Sequence, residues 1–142
     1  MLRDAFESRV ESTPEELRAA YDELLAETIT DVGIDTVEEE SELDRDTLAA
    51  LLDGETPAVS LSQAATILAA DSDRPDAEAI ESEARDILLL GMSMAVLDVE
   101  ALASGINDQM EPKEIQGKVE GRFPMSLDEY ALLHSYIEQR KR

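Results

Sequence analysis

One scheme of helix starts and stops occurs twice in this chain, and it leaves few folds open. In Asp44-Arg45-Asp46-Thr47-Leu48-Ala49-Ala50-Leu51-Leu52-Asp53-Gly54-Glu55-Thr56-Pro57-Ala58-Val59-Ser60-Leu61, a short helix is capped, stopped by glycine and turned by proline, and a second capped helix follows. Lys113-Glu114-Ile115-Gln116-Gly117-Lys118-Val119-Glu120-Gly121-Arg122-Phe123-Pro124-Met125-Ser126-Leu127 has the same plan. Leu48, Leu52, Gly54, Pro57, Ser60, Leu61 and Ala65 correspond to Ile115, Val119, Gly121, Pro124, Ser126, Leu127 and Ala131, with one residue fewer after the second proline. The correspondence reads as a divergent internal repeat.

Each mark has a physical cause. Asp44 or Asp46 can accept from free amides at a helix start. Leu48, Leu51 and Leu52 then fall on one helical face, with Leu52 expected in the core. Gly54 sits where a left-handed residue ends a helix at little cost, and Pro57 prevents its resumption. Ser60 with Gln63, and Ser126 with Glu129, have capping-box spacing.

The same logic runs along the chain. Leu2 to Val10 is expected as a short helix or arm. Ser12 or Thr13 before Pro14-Glu15-Glu16 opens a long helix whose stripe is Leu17, Tyr21, Leu24, Leu25, Thr28, Ile29 and Val32. Gly33 ends it, and Asp35 or Thr36 opens a short helix to about Glu42. Asp71-Ser72-Asp73-Arg74-Pro75-Asp76 is a hinge. Asp76 to about Leu97 is the longest periodic segment, with Ile80, Ala84, Ile87, Leu88, Gly91, Met94 and Ala95 as its stripe; its part over residues 87–97 is apolar nearly all round, which predicts a place in the core or half-cover by another subunit. Asp98 to Gly105 is a further short helix. No segment alternates as a strand, so the fold class is all-α with seven or eight helices.

Residues Leu17 to Ala69 resemble the lambda-repressor-like helix-turn-helix family. The likeness rests on the long first helix, Gly33-Ile34, the third helix start Asp44-Arg45-Asp46-Thr47-Leu48, Gly54, and the Pro57/Leu61/Ile67 run. It implies that the third helix enters a DNA major groove. The chain is also similar to a small family of acidic, functionally uncharacterised proteins of halophilic archaea, through Ala-Ala-Leu-Leu-Asp-Gly-Glu-Thr-Pro, Asp-Arg-Pro-Asp-Ala, Pro-Met-Ser-Leu-Asp-Glu-Tyr and the Arg-Lys-Arg ending. Two degenerate helix-turn-helix-like units are therefore expected: one over residues 1–70, the other over residues 71–142 with the bridging helix. They are expected to pack as one compact fold.

Chemistry is sparse. The chain has 34 acidic and 12 basic residues, a net charge of −22, no Cys and one His. Without Cys there is neither a disulfide scaffold nor a thiolate metal site. Asp71-x-Asp73 begins like a calcium loop, but Asp76 stands at its glycine and Ser82 at its final acid. His134 fits a helix-face residue better than a catalytic one. No phosphate loop, dinucleotide fingerprint or nucleophile elbow occurs. No enzyme, cofactor or metal is expected. Met1-Leu2-Arg3-Asp4 shows no apolar leader, and nothing reaches membrane-spanning length, so a cytoplasmic protein is expected.

Two functions stay open. One is a regulatory or adaptor protein that binds another protein, with a homodimer through the apolar helix 87–97 as one form. The other is a DNA-binding transcription regulator using the second unit. Residues 1–110 hold 28 acids and 6 bases, and residues 111–142 hold 6 of each. The first unit's third helix offers Asp44, Asp46, Asp53 and Glu55 against Arg45. Its counterpart offers Lys113, Gln116, Lys118 and Arg122, which could meet phosphates and base edges.

The dispersed acids fit a salt-rich interior, where ions screen their repulsion. The melting temperature is therefore expected to rise steeply from dilute buffer into molar KCl. A flat profile in thermal melts would show that the carboxylates do not oppose folding.

Overall fold

Six of the eight helices among the described residues begin where a short polar side chain satisfies an amide that lacks an intrahelical partner. Thr13, Asp44, Ser60, Asp76, Asp98 and Ser126 each accept a hydrogen bond from a backbone amide three residues on. The computed structural model describes residues 13–41 and 43–141. The expected helix or arm over Leu2 to Val10 lies outside the described residues. Eight helices stand among them: α1 (Pro14–Val32), α2 (Ile34–Glu40), α3 (Arg45–Leu52), α4 (Leu61–Ala69), α5 (Ala77–Ala95), α6 (Val99–Gly105), α7 (Pro112–Val119) and α8 (Leu127–Arg140). The protein is all-α.

Thr13 with Glu16, Ser60 with Gln63 and Ser126 with Glu129 close full capping boxes. Gly54 at φ 81° and Gly121 at φ 84° are left-handed, a region a branched residue resists. The second helix starts earlier than the polar residues suggest. Gly33 both ends α1, through its amide to the Ile29 carbonyl at 2.8 Å, and caps α2, so Asp35 and Thr36 lie inside that helix.

The two cap turns meet. The Leu61 amide donates to the Met125 carbonyl at 2.7 Å, and the Leu127 amide donates to the Val59 carbonyl at 2.9 Å. Ser60 and Ser126 thereby form an isolated antiparallel bridge. Leu61 is the counterpart of Leu127 and Val59 of Met125, so the pair is reciprocal. Helix packing follows the same exchange: α1 lies against α8, and α5 lies against α4. One buried cluster results, running from Leu17, Tyr21 and Leu25 through Leu61, Ile67 and Leu88 to Tyr130 and Ile137. Gly91 lets α5 approach α8: a Cβ there would stand 2.6 Å from Ile137 Cγ2.

The core corrects one expectation. Leu52 is 41% exposed, whereas Leu48 and Leu51 are 0% and 1% exposed. An eight-residue helix seated on α1 has room for one narrow stripe, and the three-residue step from Leu48 to Leu51 fills it. Val119, at the corresponding place in the sequence, is buried, so the two positions differ.

Leu51→Ala is expected to cost about 2–5 kcal/mol, and Leu52→Ala less than about 1 kcal/mol. Gly54→Val should also destabilise, because valine resists the left-handed backbone. Equal losses for the two leucines in denaturant unfolding would contradict the packing.

Candidate functional site

The first candidate surface is α7 and the turn after it, where the four sequence candidates lie. The structure does not bring them together as one basic face. Lys113 is exposed and forms no ion pair among the described residues. Gln116 is exposed, and its amide donates to Glu120 at 3.2 Å. Arg122 pairs with Glu120 at 2.9 Å and lies 6.0 Å from the centre of the Phe123 ring. Lys118 is 9% exposed. Its ammonium donates to Glu114 at 2.7 Å and to Glu129, and lies 3.8 Å from the Met110 sulfur. On the tail, Lys141 pairs with Glu138 at 2.6 Å, and Arg140 stacks over Tyr136. Arg142 lies outside the described residues.

Lys118 thus joins α7 to the first turn of α8. Burial alone would pull its pKa down, but the carboxylates of Glu114 and Glu129 outweigh it, and the ammonium's pKa is raised above 10.5. The same contact holds Glu114 below the usual carboxylate range.

A second polar group lies between α1 and α8. Arg18 is 4% exposed. Its guanidinium donates to Asp22 at 2.9 Å, to Asp128 at 2.9 Å and to the Pro57 carbonyl. Burial pushes the Asp22 pKa up against the pull of Arg18. The other Asp22 oxygen, Oδ2, is buried without a hydrogen bond. Arg18 floors a groove of about 390 Å³ whose walls include Glu15, Gln109, Asp128 and Leu132. All three guanidinium nitrogens are engaged, so the group works as a strut. Deeper in, the Tyr21 hydroxyl and His134 Nδ1 are 2.8 Å apart, and the Tyr130 hydroxyl donates to the Ala84 carbonyl at 2.8 Å. His134 is 1% exposed and beyond the reach of a substrate. No three potential metal-ligating side chains converge among the described residues.

The third candidate is on α5. Residues 87–97 divide between core and surface, and Met92, not the expected Met94, continues the buried stripe, because the four-residue step from Leu88 points it at the core. Ile87, Leu88, Gly91 and Met92 are buried, while Leu89, Leu90, Met94 and Val96 are 39%, 58%, 58% and 90% exposed. Val96 ends the helix in the left-handed region at φ 56°, ψ 50°, a costly conformation for a β-branched residue.

The chain contains its own control. Helices α1 and α5 each have 19 residues and align end to end. Leu17, Tyr21, Leu25 and Ile29 match Ile80, Ala84, Leu88 and Met92, all buried. On the outer side, Glu27, Asp31 and Gly33 match Leu90, Met94 and Val96. The scaffold therefore accepts polar residues at the places of Leu90 and Met94, and the apolar shoulder is particular to α5. A groove of about 300 Å³ runs beside it between α5 and α7. No single helix among the described residues is long and apolar enough to cross a membrane, and α5 and α6 meet at 92°.

A model of the family of unknown function DUF5791 matches residues 17–140. The chain belongs to this family. The match begins within α1 and ends at the last residue of α8, so it takes in all three candidate surfaces. No curated protein and no solved structure matches the chain.

Two substitutions test the polar struts. Arg18→Met leaves Asp22 buried and uncompensated and is expected to cost about 3–5 kcal/mol, while Arg18→Met with Asp22→Leu should recover much of the loss. A double variant no better than the single one would count against the strut.

For Lys118, a raised folded pKa means that its stabilisation is complete below about 10.5 and is lost as pH climbs through the folded value. Lys118→Met should therefore melt lower at neutral pH and show a shallower decline at alkaline pH than the wild type. Parallel alkaline limbs in pH-resolved melts would exclude this coupling.

Proposed function

We propose that this chain is a non-enzymatic helical adaptor or regulatory protein that docks another protein on the α5 shoulder. Its scaffold is two related helix-turn-helix-like units working in a salt-rich cytoplasm. The observation that carries this reading is the contrast between Leu90, Met94 and Val96 on α5 and Glu27, Asp31 and Gly33 at the same places on α1. Exposed apolar groups in a strongly acidic surface favour association, and a strained, 90% exposed valine fits a residue kept for its side chain. The reciprocal cap turns support descent from one repeated unit. The enclosure of His134 supports a non-enzymatic role.

The alternative, a DNA-binding regulator using the second unit, has less behind it. Of Lys113, Gln116, Lys118 and Arg122, Lys118 is enclosed by two carboxylates and Arg122 is paired with a third. Phosphate contact needs cations free to replace counterions.

The test is a photo-crosslinking amino acid placed at position 96 in cells, with position 27, an exposed site on α1, as the control. A protein adduct at 96, absent at 27 and lost in a folded Leu90→Ser/Met94→Ser variant, is expected. Equal labelling at both positions, or an adduct indifferent to the variant, would overturn the proposal.

A further inference from the structure

The groove beside the shoulder bears on what kind of chain would sit there. Its walls carry Glu78, Glu81, Asp86 and Glu120, and Leu89 belongs to both groove and shoulder. Glu81 and Glu120 are paired with Arg85 and Arg122. Glu78 and Asp86 form no ion pair among the described residues. Beyond Val96, the exposed Asp98 and Glu100 likewise face no base among them. The apolar ridge thus lies between two ends of negative charge that face no Lys or Arg among the described residues. Asp86, Leu90 and Met94 follow at four-residue spacing, so acid and apolar groups line one helical track.

Resting on the docking role proposed above, we infer that the occupant is a cationic amphipathic helix of another protein, not a second copy of this chain. Apolar side chains one turn apart would cover Leu90 and Met94, and Lys or Arg side chains beyond them would reach Asp86 and Glu78 at one end and Glu100 at the other. A second copy fits poorly. Between Arg85 and Lys113 the chain has no Lys or Arg. Two shoulders face to face would bring acid against acid at both ends, with no cation in the segment that forms them to relieve it. Such like-charge juxtaposition suppresses self-pairing as effectively as complementary charge selects a partner.

The test measures fluorescence anisotropy of the full chain with a labelled Leu/Arg amphipathic peptide of about 18 residues, long enough for about five helical turns. A Leu/Glu peptide with the same apolar face is the control. The Leu/Arg peptide is expected to bind and the Leu/Glu peptide is not. Leu90→Ser/Met94→Ser and Glu78→Gln/Asp86→Asn should each weaken binding by about tenfold or more, the latter also flattening its salt dependence between about 0.1 M and 1 M KCl.

Binding unchanged by Leu90→Ser/Met94→Ser would mean general attraction to an acidic protein, and the inference falls. Equal affinity for both peptides would also overturn it, since charge then selects nothing. Sedimentation separates this failure from failure of the docking role. A dimer abolished by Leu90→Ser/Met94→Ser would keep the shoulder as an interface but make the second copy its occupant. A monomer that binds neither peptide, together with no adduct at position 96, would remove both.

Discussion

Two backbone hydrogen bonds organise the molecule. Leu61 to Met125 and Leu127 to Val59 hold two capping turns side by side, so α4 and α8 start from one point. From there the two long helices cross over: α1 packs on α8, and α5 on α4. Arg18 reinforces the same place. It reaches the Pro57 carbonyl just before one cap turn and Asp128 just after the other. A buried amide or carbonyl without a partner is costly. Exchanging bonds reciprocally lets two turns approach closely without leaving such groups behind.

The arrangement also determines where positive charge goes. Arg18 and Lys118 are buried, and Arg85 donates to the Lys118 carbonyl at 3.0 Å and pairs with Glu81. These bases join helices. The surface is consequently more one-sided in charge than the composition suggests, and the apolar shoulder of α5 interrupts it.

Much of the fold was legible because its signals are local. Thr13, Ser60, Ser126, Gly54 and Gly121 act through groups within a few residues of themselves, and the structure uses each as the sequence suggests. What escaped depends on distant partners. Leu51 and Leu52 are equivalent on a helical wheel until α1 supplies a seat for only one of them. Lys118 looks like a cation offered to a ligand until the first turn of α8 places Glu129 against it. The periodicity of α5 marks its buried face as far as Gly91, but the uniform apolarity after it does not tell Met92 from Met94. Alignment of α1 with α5 decides that, and it rests on caps and buried positions visible only after folding.

The pairing of α1 with α8 has a consequence for how the chain is made. Tyr21 and Arg18 are completed by His134, Tyr130 and Asp128, more than one hundred residues downstream. During synthesis the apolar stripe of α1 leaves the ribosome long before α8, whose side chains complete its cover. The native core around α1 must therefore wait for contacts of high sequence separation. Until then the stripe of α1 depends on its nearer partners, α3 and α4.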